Sequence, residues 1–509
     1  MEQKSIYDEY FALHAQHIQE YGIKTTIVLM QVGVFYEMYG LRNVATQEIK
    51  RDDAEPRIVE FGNICELAVV PKSNAFYLNK KYNILMCGFK DDIVDKYVKK
   101  MQHAGYTIVL YNQDNKSTAT GKKERRLFAV ISPGTYCGSC VDEDVLSTRS
   151  SSNTICCIWF YVRNMQSSSI QTESNNSHKI YVGMSSVDIY TGKTVMYEFS
   201  RTYYPKLNNP NLFDPLDRFL TIYNPIELVV ISDNLDLVAT NKILKSVNIR
   251  NVKKTHSVII CDESNKETEP KNKNISRAKN CEKQIYQREV LSRFYPNMID
   301  TSTDMYMNQF YEHVIATQSF CYLLDFIHQH NASLTKQITK PTFDHVGDNM
   351  QLENSSLIQL NILDDGKQIN ARYASVAKMC SSEALTPMGK RKVIEMILRP
   401  TTNISYLKKE YAVVEHMITL NTVPLTKDSV VQWLSEIRDL AKYLRLIYWK
   451  RITPKQLYFL YENIQRVKDM YSYFAKDVVM HAYFQEVLPN YSSLLVAAAQ
   501  ITSYLDGVF

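Results

Sequence analysis

Apolar positions recur at two spacings along the chain, and each change of spacing marks an element. Tyr7 to Tyr21 follows helical spacing. Thr25 to Gln31 is a β-type run that leads to a glycine, Gly33. Ile93, Tyr97 and Met101 repeat at i, i+4 and i+8 with Val94 and Val98 beside them. Asp91–Met101 is therefore expected as an amphipathic helix, with Asp91 at its start and Gly105 at its C-terminal turn. Lys96, Lys99 and Lys100 fall on its other face. The strand Tyr106–Gln113 follows, and then a basic connector, Gly121-Lys122-Lys123-Glu124-Arg125-Arg126.

A second alternation of strands and helices begins after residue 127. Ile155–Arg163 and Lys179–Asp188 are apolar, β-branched strands, with a polar, low-complexity stretch, Ser167–Ser177, between them. Thr191-Gly192-Lys193 turns the chain into the strand Thr194–Phe199. A helix, Pro215–Tyr223, and a strand, Glu227–Ser232, come next. Glu263 to about Lys283 is charged and polar and predicts a linker. Beyond it the spacing is helical. Val314, Thr317, Phe320, Leu323, Leu324 and Ile327 form one stripe of Tyr311–Gln329. Thr386-Pro387 and Thr453-Pro454 each place an N-cap before a first-turn proline. Leu457, Leu460, Ile464, Val467 and Tyr471 make a core or partner-helix seam. The fold class is multidomain: α/β first, mainly α-helical afterwards.

The candidate chemistry lies just past the first strand, in Gly33-Val34-Phe35-Tyr36-Glu37. On extended backbone Phe35 and Glu37 project from one face and Tyr36 from the other. An apolar ring beside an acceptor is the layout of a wedge that slips between bases and a probe that queries the base it meets. A buried strand with Phe35 and Tyr36 as core is the alternative.

Composition narrows the choice only a little. Apolar content of 45% and charged content of 22% are those of a globular protein, and the length predicts about three domains. A net charge of +5 permits a nucleic-acid partner without arguing for one, so DNA contacts must come from local clusters. There is no run of ~18 apolar residues for a membrane span and no apolar signal core near Met1. Ten cysteines include Cys137-Gly138-Ser139-Cys140 and Cys156-Cys157. Adjacent cysteines are poor partners for tetrahedral ligation, so the thiols read as reduced, intracellular and metal-free. Asp188 suggests a metal-dependent nuclease, but the further carboxylates that two metals need cannot be assembled.

The Gly33–Glu37 element resembles the Gly-x-Phe-Tyr-Glu signature that opens the mismatch-binding domain of the MutS family of DNA mismatch-recognition proteins. Further blocks resemble that family in the same order. They are Ile84–Lys90, Tyr106–Gln113, Val130–Thr135, Leu385–Arg391 with Arg399-Pro400, Ile437–Leu440 and Thr453–Leu457. Leu352–Leu360 resembles the core strand and its continuation. Val34 and Tyr39-Gly40 depart from the usual pattern.

The resemblance implies a mismatch-binding domain over residues 1–120 and an RNase-H-like connector over 121–262. A polar linker over 263–285 and a helical core with part of the lever over 286–509 complete the plan. Phe35 would stack on a mispaired base, Glu37 would hydrogen-bond it, and Gly33 would keep the backbone close to the groove. Lys90, Lys96, Lys99, Lys122, Lys123, Arg125 and Arg126 are candidate phosphate contacts. The implied partner is double-stranded DNA with mismatches or small loops, with a homodimer or repair-protein partner possible and no membrane. No cofactor is expected within these residues. ATP and magnesium are expected only with the family's ATPase region, which follows the lever. No Gly-x-x-x-x-Gly-Lys-Ser/Thr occurs here, and Met388-Gly389-Lys390-Arg391 lacks the upstream glycine and the Ser/Thr. Two other readings remain: the front part of a complete ATPase, or a truncated interaction protein outside repair.

Overall fold

The computed structural model describes residues 5–117, 123–136, 153–164, 178–204, 209–247, 249–260, 273–296, 304–344, 349–350, 352–364, 373–420, 424–488 and 490–507. The chain divides into two units. The first covers residues 1–139, 153–216 and 223–343, and the second covers 140–152, 217–222 and 344–509.

The first unit begins with α1 (Ile6–Tyr21), started by a capping box between Ser5 and Asp8. The strands β1 (Thr26–Val32) and β2 (Phe35–Asn43) form a hairpin. α2 (Ile58–Cys65), β3 (Val70–Tyr77), β4 (Tyr82–Lys90), α3 (Val94–His103), β5 (Thr107–Ser117) and β6 (Lys123–Ile131) follow. The six strands make one sheet in the order β3-β4-β2-β1-β5-β6. β1 and β5 are parallel and the other neighbours antiparallel. Lys123 to Arg126 of the basic stretch expected as a connector therefore lie in a strand, and the first sheet includes residues past 120. Its charges hid it, because an edge strand needs few apolar residues.

Strand alternation sends side chains to opposite faces. Tyr36 and Phe89 share the face under α3, where Phe89 lies 4.5 Å from Tyr97 between ring centroids. Tyr39 lies on the other face under α1, edge-on to Tyr7 at 5.2 Å and Tyr10 at 5.1 Å.

The second sheet contains β7 (Thr154–Asn164), β8 (His178–Asp188) and β9 (Thr194–Tyr203), an antiparallel meander. β10 (Glu227–Asp233) is parallel to β7, and β11 (Lys254–Ile259) to β10. The short β12 (Thr342–Phe343) pairs with β9, giving the order β11-β10-β7-β8-β9-β12. The helices along this stretch of chain are α4 (Asp214–Tyr223), of which residues 217–222 belong to the second unit, α5 (Leu237–Ser246), α6 (Lys273–Cys281), α7 (Gln284–Phe294), α8 (Asp304–Glu312) and α9 (Val314–His330).

Two expectations change here. The polar linker contains a helix: α6 spans residues 273–281, and its Ala278 and Cys281 are buried. Only one narrow face is apolar, so composition alone looked unstructured. α9 carries more than a stripe, because Ile315 to Ile327 are buried all round. It packs on the second sheet, where Gly183 makes room: a Cβ there would sit 2.3 Å from the carbonyl carbon of Ile315. Glu198 accepts from the amides of Ile315 and Ala316, both at 2.9 Å, at the helix start. The Ser167–Ser177 stretch and the Cys137/Cys140 pair lie outside the described residues. Cys156 and Cys157 are buried on β7. Asp188 is occupied by the turn that follows β8, accepting from Tyr190 N at 3.0 Å and Thr191 Oγ1 at 2.7 Å.

The second unit is helical among its described residues. It contains α10 (Asn354–Gln359), α11 (Val376–Glu383), α12 (Pro387–Leu398), α13 (Ile404–Leu420), α14 (Pro424–Glu436), α15 (Leu440–Tyr448), α16 (Pro454–Phe474), α17 (Val478–Val487) and α18 (Tyr491–Asp506). α10 replaces the strand expected over Leu352–Leu360; Leu357 is its buried apolar residue, which helical winding supplies without a sheet partner. Thr386 and Thr453 cap α12 and α16 as expected. Arg391 donates two bonds, of 2.6 and 2.9 Å, to the buried Asp439. No helix among the described residues is long and apolar enough to cross a membrane.

Candidate nucleic-acid interface

β1 and β2 are joined by two residues, Gly33 and Val34, across the pair Val32–Phe35. Gly33 has φ of 64°, the positive value that the first central position of such a tight turn requires. Its amide donates to Gln113 Oε1 at 3.2 Å, and Val34 O accepts from Asp91 N at 3.0 Å. The tip is thus held from β5 on one side and from the end of β4 on the other.

On this support Phe35 is 41% exposed and Val34 is 59% exposed, while Tyr36, Met38 and Tyr39 are core. Alternation separates the roles. Tyr36 points to the α3 face and donates to Asn112 Oδ1 at 2.5 Å. Phe35 and Glu37 share the opposite face. Lys90 lies directly across from Phe35 on β4, and Gly88 directly across from Glu37. A Cβ on Gly88 would come within 2.6 Å of Tyr36 O, so the strand beside Glu37 stays bare for a steric reason.

Glu37 is 8% exposed. Its Oε2 accepts from Tyr39 Oη at 2.5 Å and from Lys72 Nζ at 2.6 Å. Lys72 also lies 3.5 Å from Met86 Sδ and 5.4 Å from the centre of the Tyr39 ring. Burial, then the bond to Glu37, push the Tyr39 phenol up, which keeps it a donor. Lys72 reaches this point from β3 where its pairing with β4 is irregular, between Pro71 and Phe76. Reading the sequence did not find Lys72. It lies 35 positions from Glu37 in sequence, and only the pairing of β3 with β4 brings the two together.

The remaining sequence candidates divide. Gly33, Phe35, Glu37 and Lys90 gather at one end of the first sheet. Arg125 lies near that end on β6, yet its guanidinium donates to Gln31 O at 3.1 Å and pairs with Glu9 at 3.5 Å. Arg126, on the same strand, is exposed and 3.6 Å from Glu124. Lys96 and Lys99 belong to α3, which covers the other face from Phe35 and Glu37. Lys123 opens β6, and Lys122 lies outside the described residues.

Comparison with known proteins gives the context. The family model MutS domain I matches residues 60–139, from α2 through β6 and beyond. A protein of Acanthamoeba polyphaga mimivirus described as a DNA mismatch repair protein mutS homolog is 25% identical over 478 residues, covering 89% of this chain and 38% of that protein. The DNA mismatch repair protein MutS of Borrelia garinii subsp. bavariensis is 21% identical over 438 residues, covering 86% of this chain and 40% of the relative. That of Treponema denticola is 27% identical over 179 residues, covering 35% and 16%. The chain spans about two fifths of the length of the first two relatives. These matches, on a fold whose first unit is mixed α/β and whose second is helical, make the chain similar over most of its length to MutS-family proteins and support the N-terminal part of that family.

Proposed function

We propose that these residues bind double-stranded DNA at mispaired or unpaired positions, as part of mismatch repair, with Phe35 as the wedge and Glu37 as the probe. The observation that carries the reading is the exposure of Phe35 at a braced hairpin tip whose neighbours Tyr36 and Met38 are core. A ring held this way can enter a base step without unfolding its strand. A mispaired step is already partly unstacked, so opening it costs less than opening a matched one, and selectivity arises from deformability. Glu37 meets the displaced base, and Lys90 beside Phe35 approaches phosphate. The names of the relatives, all DNA mismatch repair proteins, support the same reading.

The finer domain labels belong to this proposal. The strand order β9-β8-β7-β10-β11, three antiparallel and then two parallel to β7, supports an RNase-H-like connector. The helices after Asp344 would supply the core and part of the lever. ATP and magnesium enter only through an ATPase region accompanying these residues, as would a homodimer or another repair protein.

The test compares a labelled duplex carrying one G·T pair or one unpaired thymine with the matched duplex, at two salt concentrations. The parent chain should prefer the defective duplexes. Phe35→Ala should reduce that preference by about tenfold, the worth of one aromatic–base stack, and keep most of the salt-dependent term. Equal binding of all duplexes by the parent, or a Phe35→Ala variant with parental preference, would remove the proposal.

A further inference from the structure

We infer that Lys72 is a positioning residue for base reading, one that holds Glu37 as a pure acceptor and so decides which displaced bases the site can take. The inference rests on the reading of Phe35 and Glu37 given above.

The geometry is specific. Both bonds to the Glu37 carboxylate fall on Oε2, from Lys72 and from Tyr39. Among the described residues nothing donates to Oε1, which is left for an incoming group. Gly88, directly across on β4, puts no side chain of its own beside it. The Lys72 side chain is only 30% exposed. It is directed inward, over Met86 and the Tyr39 ring, rather than outward toward a phosphate. An ammonium in that position makes the carboxylate accept only. Such a probe takes a hydrogen bond from a base whose pairing edge offers a ring N–H, as thymine and guanine do. From adenine or cytosine, whose corresponding ring nitrogen is itself an acceptor, it can take a bond only from the exocyclic amino group. Without Lys72 the carboxylate keeps only the bond from Tyr39 on Oε2, so Oε1 is no longer held in place for this distinction.

The experiment measures binding of duplexes identical except for one unpaired thymine, one unpaired adenine or neither. The proteins are the parent, Lys72→Met, Lys72→Gln, Lys72→Arg, Glu37→Gln and the double variant Lys72→Met/Glu37→Gln. Melting curves confirm that each is folded. The ratio of the adenine to the thymine dissociation constant should fall about fivefold in Lys72→Met, Lys72→Gln and Glu37→Gln, a coupling typical of contacting charged groups. Lys72→Arg should retain the parental ratio. The double variant should fall no further than Glu37→Gln alone. An unchanged ratio in Lys72→Met, or additive losses in the double variant, overturns the inference. So does equal weakening of all three duplexes, which would make Lys72 a phosphate contact. In those cases a parental preference that Phe35→Ala abolishes would leave the wedge itself standing. Failure of the wedge reading looks different, because the parent and Phe35→Ala would then bind all duplexes alike.

Discussion

Glu227 has no exposed surface, and its carboxylate accepts from Ser132 Oγ at 2.5 Å, Gly134 N at 2.8 Å and His256 Nε2 at 2.6 Å. Burial works to raise this carboxyl. The bond from His256 and the nearby His330 and Lys254 outweigh it and hold the group down at about 2. The histidines also shift down, which for them favours the neutral form. Burial, against the pull of Glu227, brings His330 down to about 4, and burial with His17 and Arg57 does the same to His14. Both stay neutral in the fold where an unfolded chain would charge them. The unfolded state then binds more protons between pH 6.5 and 4, so stability rises with pH there and is lost on acidification. Each such histidine contributes a slope of about 1.4 kcal/mol per pH unit. Urea unfolding followed from pH 7 down to about 5 should show this loss, and His330→Gln, which cannot charge, should flatten it. A slope unchanged by His330→Gln would mean that His330 is already charged in the fold. None of this was legible in the sequence, where Glu227, His256 and His330 are scattered. The Phe35–Glu37 relation was legible, because a period of two needs no tertiary information.

Helices and strands differ in how openly they announce themselves. β1, β7, β8 and β10 are apolar, β-branched runs found within a residue or so of their expected places, and β9 starts where expected but runs on to Tyr203, past the expected Phe199. β6 and β11 were missed because edge strands carry charge: β6 opens Lys-Glu-Arg-Arg, and β11 begins at Lys254. Lys254 is nonetheless buried, donating to Tyr21 O at 2.8 Å and Thr107 Oγ1 at 2.5 Å, a use no pattern reveals. α9 was found, but its burial on every side was not, since a sheet packed on a helix leaves no periodic trace beyond the apolar excess. The contact depends on Gly183, where an added Cβ would meet backbone atoms of Ile315 and Ala316 within 2.4 Å. Backbone cannot rotate away as a side chain can. Gly183→Ala should therefore destabilise the first unit by about 3 kcal/mol, the upper range for overpacking, seen as a lower urea midpoint with unchanged cooperativity. A variant as stable as the parent would show that α9 can slide on β8 at little cost.

Across the whole molecule, 59 lysines and arginines face 54 aspartates and glutamates, so affinity for a polyanion must come from how the cations are placed. At the proposed interface few are available. Lys90 is exposed beside Phe35, but Lys72 is committed to Glu37, and Arg125 to Gln31 and Glu9. Lys96 and Lys99 sit on the helix behind the sheet. An interface that reads deformability through a wedge does not need a broad basic surface, and this arrangement suits it. The consequence is measurable in bulk. If about two or three phosphates are neutralised, the logarithm of the binding constant should fall with the logarithm of salt at a slope of about −2 to −3. Lys90→Ala should make that slope shallower by about one unit and weaken matched and mismatched duplexes alike, because phosphate contacts carry no sequence information. Phe35→Ala should leave the slope as it is while removing the preference. A slope of about −6 or steeper would instead point to an extended basic surface elsewhere in the chain as the main DNA contact, with the hairpin tip contributing little.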